Sequence, residues 1–188
     1  MMATATAHIT TEELLAMPED GMDRWLIRGE LREKAMPIRN RFHSETLISI
    51  GTLLKIWRDR QPEPRGKVLG GEAGVRLPSD PETTVGVDVV YLSAEVASAQ
   101  SEESTIIEGI PTLVVEILSP SNTQEELHEK ISVYLEVGIP LVWIVNPYDH
   151  TVRIYRPGTE PEMVNLRQEL SADPILPGFR VAVAKLFS

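Results

Sequence analysis

Two carboxylates in this chain lie inside apolar runs. Asp88 interrupts VGVDVVYL and Glu116 interrupts TLVVEIL. An ionised carboxylate in such a setting must be paired, hydrogen-bonded or bound to a metal, or else remain wet. If the two strands are adjacent and in register, the carboxylates converge. Two hard oxygen donors with open water positions are what Mg²⁺ or Mn²⁺ requires. For either acid alone, a solvated strand end is the simpler reading. Lys130 follows Glu116 by fourteen residues, one turn-and-helix length. A lysine there could hold an attacking water and offset charge on a phosphoryl oxygen. Glu126 competes for it, being four residues N-terminal on the same helix, the favourable order for a surface ion pair. On spacing alone that pair prevails.

Three further side chains are secondary candidates. His43 precedes Leu47 by four residues and reads as a histidine packed on the apolar face of its helix. Glu45 is on a neighbouring face, either solvated or extending a metal site. Glu72, in GGEAGVRL, begins a strand near the same region. The chain has no Gly-rich phosphate loop, no paired-histidine zinc motif and no nucleophile elbow. Ser119 has no matched histidine to make a hydrolytic triad.

The positioning elements follow from local signals. Thr10 and Glu13 form a capping-box pattern for a short helix ending near Met17. Residues 24–34 read as strand, tight turn at Gly29, strand. Asn40 or Ser44 caps a helix to about Arg58, striped by Leu47, Ile50, Leu54 and Trp57. Residues 67–77 and 85–92 read as strands. On the second, Asp88 shares a face with Gly86, Val90 and Leu92. Residues 93–109 read as a loop with at most one helical turn. Strand 112–118, a Ser-Pro-Ser-Asn turn, helix 123–137 and strand 141–145 make a crossover. Gly138 stops the helix, and Pro140 blocks its continuation. The helix stripe is Leu127, Ile131, Tyr134 and Leu135. Residues 151–155 form a hairpin partner, and the tail ends in short β-like segments near 179–184. The class is α/β or α+β, a mixed sheet partly covered on both faces.

At 188 residues the chain reads as a single domain, 1–188, large enough for a core without staples. It has no cysteine, which excludes disulfides, thiolate metal sites and a cysteine nucleophile. No secretory signal and no apolar run of membrane-spanning length is visible, and a cytoplasmic location is expected. The net charge is −10. Residues 24–67 nevertheless hold eleven of the eighteen basic side chains and five of the twenty-eight acidic ones, a local balance of +6. Such segregation can make a basic face on an acidic protein. Solvation of a hairpin and a long helix is the plainer explanation.

The stretches VDVVYLS, PTLVVEILSPSN, EKISVYLEVGIP, LVWIVNP and VRIYRPG resemble, in order and spacing, the Uma-type restriction endonuclease family of the PD-(D/E)XK nuclease superfamily. The likeness extends to ITTEELLAMP, the LIRGEL turn, His43 before the long helix, and LPGFRVAVAKLF. It implies a restriction-endonuclease-like mixed central sheet flanked by helices, with additional N-terminal and C-terminal hairpins. It implies a Mg²⁺-dependent endonuclease, with Mn²⁺ as substitute, hydrolysing DNA phosphodiester bonds. The acidic pair maps to Asp88 and Glu116, with the Ile117 carbonyl as third metal ligand. The parent motif's lysine position is Leu118, and the family's displaced lysine maps to Lys130. DNA is the implied partner, through the basic segment 24–67, and a homodimer follows from fold analogy. The motif's proline is Val87 here. Trp25 stands where the family often has an acid. The alternatives are a non-catalytic nuclease-fold binding or scaffold protein, or a structural ion pair without activity.

Overall fold

The computed structural model describes residues 8–36 and 40–188. Its elements begin with α1 (Thr11–Leu15), β1 (Met22–Ile27), β2 (Glu30–Ala35) and α2 (Arg41–Asp59). Then come β3 (Lys67–Leu77), β4 (Thr83–Leu92), α3 (Ala94–Ser98) and β5 (Ile107–Glu108). The crossover is β6 (Leu113–Ile117), α4 (Gln124–Glu136) and β7 (Leu141–Asn146). The chain finishes with β8 (Thr151–Tyr155), β9 (Glu162–Asn165), β10 (Glu169–Ser171), β11 (Arg180–Ala182) and a 3-10 turn, Val183–Leu186. This is the mixed, helix-flanked sheet expected from the sequence, with an N-terminal hairpin, β1–β2, and a C-terminal one, β10–β11.

The main sheet runs β2-β1-β4-β6-β7-β8-β9, with β3 also paired to β4 and β5 to β3. Among the described residues, only β6–β7 and β3–β5 are parallel. The β6–β7 pair needs a crossover, and α4 supplies it. The interior strands β6 and β7 are covered on both faces. Hence they read as apolar runs and not as alternating ones.

One face packs under α2 and the C-terminal segment, through Ile50, Leu54, Trp57, Val89, Val115, Trp143 and Phe179. The other packs under α4 and the β1 side of the hairpin, through Trp25, Ile27, Val90, Val114, Tyr134 and Val142. Strand alternation sends Val114 to one layer and Val115 to the other.

The caps are as the sequence chemistry dictates. Thr10 and Thr123 each make a full capping box, with Glu13 and Glu126. Asn40, not Ser44, caps α2 by accepting from the His43 N–H. Gly138 adopts φ +85° just past α4, a left-handed conformation that glycine takes without Cβ strain. Two expectations fell short. Residues 93–109 contain, besides α3, which is the one helical turn allowed for, the short strand β5, and β9 and β10 went unread in the tail. Each of these strands has four residues or fewer, too few to display a period.

Ion pairs tie the N-terminal hairpin to α4. Arg32 meets Glu129 at 2.6 Å, Arg28 meets Glu136 at 2.6 Å, and Lys34 lies 3.7 Å from Glu126. Much of the basic charge of residues 24–67 is therefore matched by acids within the fold.

Because the capping box sets the start of α4, Thr123→Ala should lower unfolding stability by about 1 kcal/mol. Urea denaturation measures it. An unchanged midpoint would show that α4 is held by packing alone.

Candidate active site

β4 has one continuous neighbour, β3, and two partial ones along its other edge. β6 pairs with Val89–Tyr91, and β1 pairs only at Thr84. The sheet therefore forks beside residues 85–88. Continuing the β4–β6 register sets Asp88 directly opposite Glu116. The ladder ends there because the Asp88 side chain takes over. Its Oδ2 accepts from the Ile117 N–H at 2.7 Å.

The neighbouring strand is irregular at the same level. Gly70 pairs with Val89 and Ala73 with Val87, so Gly71 and Glu72 bulge opposite Asp88. Both have positive φ, +93° and +62°. The face pattern of β4 switches here. Val85 and Val87 join the same layer as Val90 and Leu92, which unbroken alternation forbids. The expectation that Asp88 shares a plain face with Gly86, Val90 and Leu92 is corrected accordingly. Asp88 sits at the irregularity, between the α2 layer and the α4 layer.

A small cavity of ≈ 30 Å³ opens at the fork, lined by Asp23, Trp25, Lys34, Glu72, Gly86, Glu116, Lys130 and their neighbours. Lys130 reaches across from α4. Its Nζ donates to the Gly86 carbonyl at 3.0 Å and to Glu116 Oε1 at 3.0 Å. The surface pair with Glu126 does not form. Glu126 is committed to the Thr123 N–H and faces Lys34. Tyr134, one turn on, is fully buried and donates to the same Glu116 Oε1 at 2.5 Å.

The hydrogen bonds to Glu116 from described residues all end on Oε1, leaving Oε2 uncommitted. Asp88 shows a similar division. Oδ2 is anchored, while Oδ1 is buried and accepts no hydrogen bond among the described residues. His43 Nε2, from α2, comes within 3.0 Å of Oδ1 without a hydrogen bond to it.

The remaining candidates separate. Ile117 lines the cavity, and Glu72 reaches it from the bulge, with Oε2 2.8 Å from where a Cβ on Gly86 would lie. Glu45 is exposed on α2 and lines no part of the cavity. His43 is buried in the first turn of α2, as its spacing indicated. No three His, Asp or Glu side chains gather around one point among the described residues.

Two contributors were not singled out from sequence. Tyr134 was read only as a stripe residue, although a fully buried hydroxyl demands an acceptor. Asp23 lines the cavity two residues before Trp25, on the same strand. Strand periodicity places the two on one face and could have found it.

Burial raises the Glu116 pKa above its ordinary value of 4.5. Lys130 opposes the rise, Asp88 reinforces it, and the Tyr134 hydrogen bond opposes it. Burial, then the Glu116 charge, pushes the Tyr134 hydroxyl well above its usual range, so it remains a donor. A raised folded-state pKa has a definite linkage sign. The contribution to stability is complete below the unfolded pKa and is lost as pH rises through the folded value. Wild type should therefore gain stability relative to Glu116→Gln as pH falls through the raised folded-state pKa towards the ordinary value of 4.5. Urea denaturation of both proteins across this range tests it. A pH-independent difference would show an unraised Glu116.

Comparison with known proteins bears on the fold and the family. Among curated proteins, none matches this chain. A crystal structure from Anabaena variabilis, described as "a putative nuclease belonging to DUF820", superposes with a TM-score of 0.80 at 21% identity, covering 95% of this chain and 97% of that one. Residues 11–184 match the Uma2 family, described as "Putative restriction endonuclease". The match spans nearly the whole chain, from α1 through the forked sheet to the last turn, and the protein belongs to the Uma2 family.

Proposed function

We propose that this protein is a divalent-metal-dependent endonuclease that hydrolyses DNA phosphodiester bonds, acting as one restriction-endonuclease-like domain. The observation that carries the reading is the division of labour at the fork. Asp88 and Glu116 stand opposite one another, and each has one oxygen held by hydrogen bonds and the other without one among the described residues, Asp88 Oδ1 facing His43 Nε2 at 3.0 Å. Hard oxygens of this kind suit Mg²⁺, or Mn²⁺ in its place. Two carboxylates suffice, because Mg²⁺ retains several waters. Asp88 and Glu116 would hold the ion, with the Ile117 carbonyl as a third ligand by family analogy. Bound there, the ion would polarise the scissile phosphate and acidify a water.

The chain's own residues do the rest. Tyr134 and Lys130 fix Glu116 by one oxygen, so its carboxylate cannot turn freely. Lys130 spends two donors on Glu116 and Gly86 and presents a third, from an ammonium, to water or a phosphoryl oxygen. Trp25, Ile117, Leu118 and Leu127 give the cavity apolar walls, which strengthen electrostatic interactions inside it.

DNA contact through residues 24–67 draws on their unmatched cations. Arg41, Lys55, Arg60 and Lys67 have no ion-pair partner among the described residues, while Arg39 lies outside them. A homodimer would let two such sites address two strands. No helix among the described residues is long and apolar enough to cross a membrane, and we place the protein in the cytoplasm.

Asp88→Ala and Glu116→Ala should each abolish divalent-dependent cleavage of plasmid DNA. Lys130→Met should reduce it by about 100-fold. Wild-type rates in both carboxylate variants would defeat the assignment. A protein that binds DNA and metal but never cleaves would instead be a scaffold on the nuclease fold.

A further inference from the structure

Phe42 and Tyr148 are the two aromatic residues of the chain that stay exposed, at 39% and 44%. They come from α2 and from the turn between β7 and β8, yet their rings stand against each other, with centroids 5.9 Å apart and planes at 69°. Arg41 adds its guanidinium, with Cζ 4.5 Å from the centre of the Phe42 ring. The group is held from both sides. Asn40 Nδ2 donates to Tyr148 Oη at 2.8 Å. Asn146 Oδ1 accepts from the Tyr148 and Asp149 N–H groups at 2.9 and 3.1 Å, which fixes the turn. A single exposed apolar side chain needs no explanation. Two rings and a cation fixed together at the surface do.

Charge distinguishes the grooves that border the small cavity beside Glu116 and Lys130. One, of ≈ 580 Å³, shares Asp23, Glu72 and Gly86 with it and adds Glu19. Its basic residue, Arg24, is taken by Asp20 and Glu33. Another, of ≈ 400 Å³, shares Trp25 and Glu126 with the cavity and carries Glu33, Glu125 and Glu129 beside Arg32. Both repel a chain of phosphates. A third groove, of ≈ 360 Å³, shares Leu118, Asn122 and Leu127 with the cavity and has no charged residue in its lining. Tyr148 is part of its wall. A polyanion therefore meets less repulsion along the groove that leads to the ring pair, where Arg41 has no ion-pair partner among the described residues.

We infer that Phe42, Tyr148 and Arg41 form a stacking platform for an unpaired nucleobase, so that the substrate is DNA with a single-stranded stretch beside the scissile phosphate. The inference rests on the nuclease reading above and narrows its substrate. In a duplex the bases stack on one another and show only their edges in the grooves. An unpaired base offers its π-face, and exposed aromatic rings take it whatever the sequence. An arginine at the same spot adds cation–π attraction and a phosphate contact. A base held at Tyr148 leads its strand along the uncharged groove towards the cavity that Lys130 lines.

Fluorescence anisotropy of the full chain with three labelled DNAs tests this: a single strand, its duplex, and an abasic strand of equal length, with Ca²⁺ replacing the metal that supports cleavage. Wild type should bind the single strand more tightly than either of the others. Phe42→Leu and Tyr148→Leu should each weaken single-strand binding by roughly 10-fold and leave abasic-strand binding unchanged. Phe42→Trp should keep wild-type affinity. Equal affinity for the single and abasic strands, tighter binding of the duplex, or undiminished single-strand binding in folded leucine variants would each overturn the inference. The three-strand comparison on wild type decides even if a leucine variant folds poorly. Duplex cleavage that Asp88→Ala abolishes, with both leucine variants unimpaired, would overturn the platform and leave the nuclease reading intact. Base-dependent single-strand binding without cleavage in Mg²⁺ or Mn²⁺ would sustain the platform and sink the nuclease reading.

Discussion

The site depends on holding the Glu116 carboxylate in the almost dry fork of the sheet. An unpaired charge there would protonate or destabilise the fold. Two donors from one helix prevent this, Lys130 Nζ and Tyr134 Oη, both on Oε1. The helix must then sit at one height and one rotation over the sheet. Its start is set by Thr123 and Glu126, its end by Gly138. The ion pairs from Arg28, Arg32 and Lys34 bring the hairpin against it, and Asp23, Trp25 and Lys34 of the hairpin line the cavity.

The fork in the sheet is the second constraint. A continuous ladder would bury the Ile117 N–H in ordinary strand pairing and leave Asp88 no place in the sheet plane. Ending β4–β6 pairing at residue 89 gives that N–H to the Asp88 carboxylate. The bulge on β3 acts at the same level, absorbing the register shift and aiming Glu72 over Gly86 into the cavity. A larger side chain at Gly86 would meet the Glu72 carboxylate at 2.8 Å. Irregular backbone is thus concentrated where polar groups must converge, while the flanking strands keep regular register.

The acidic balance of the chain is consistent with this arrangement. Acids on α4 match bases on the hairpin, so the +6 segment is largely an internal complement and not an open basic face. Within residues 24–67, the described cations with no such match are Arg41 and Lys55 on α2 and Arg60 and Lys67 after it, and α2 packs on the opposite layer from α4. A nucleic-acid surface, if built from this segment, draws on fewer charges than the composition suggests.

Much of the fold was legible in the sequence because it is written in short-range terms. Capping boxes at Thr10 and Thr123, the glycine past α4 and the apolar runs of β6 and β7 act within a few residues, so spacing alone reveals them. The same spacing placed Asp88 and Glu116 in strands and Lys130 on a helix. It could not choose Lys130's partner. Glu126 is four residues away in sequence, but Glu116 is reached only once α4 folds back over the sheet. Nor could it reveal the break at Asp88, because a bulge depends on the register of a different strand. The chain by itself determined which groups carry charge and donors and on which elements they ride. Tertiary structure alone decided which oxygen of each carboxylate is tied down and which is left uncommitted, because that choice is made by donors arriving from elements distant in sequence.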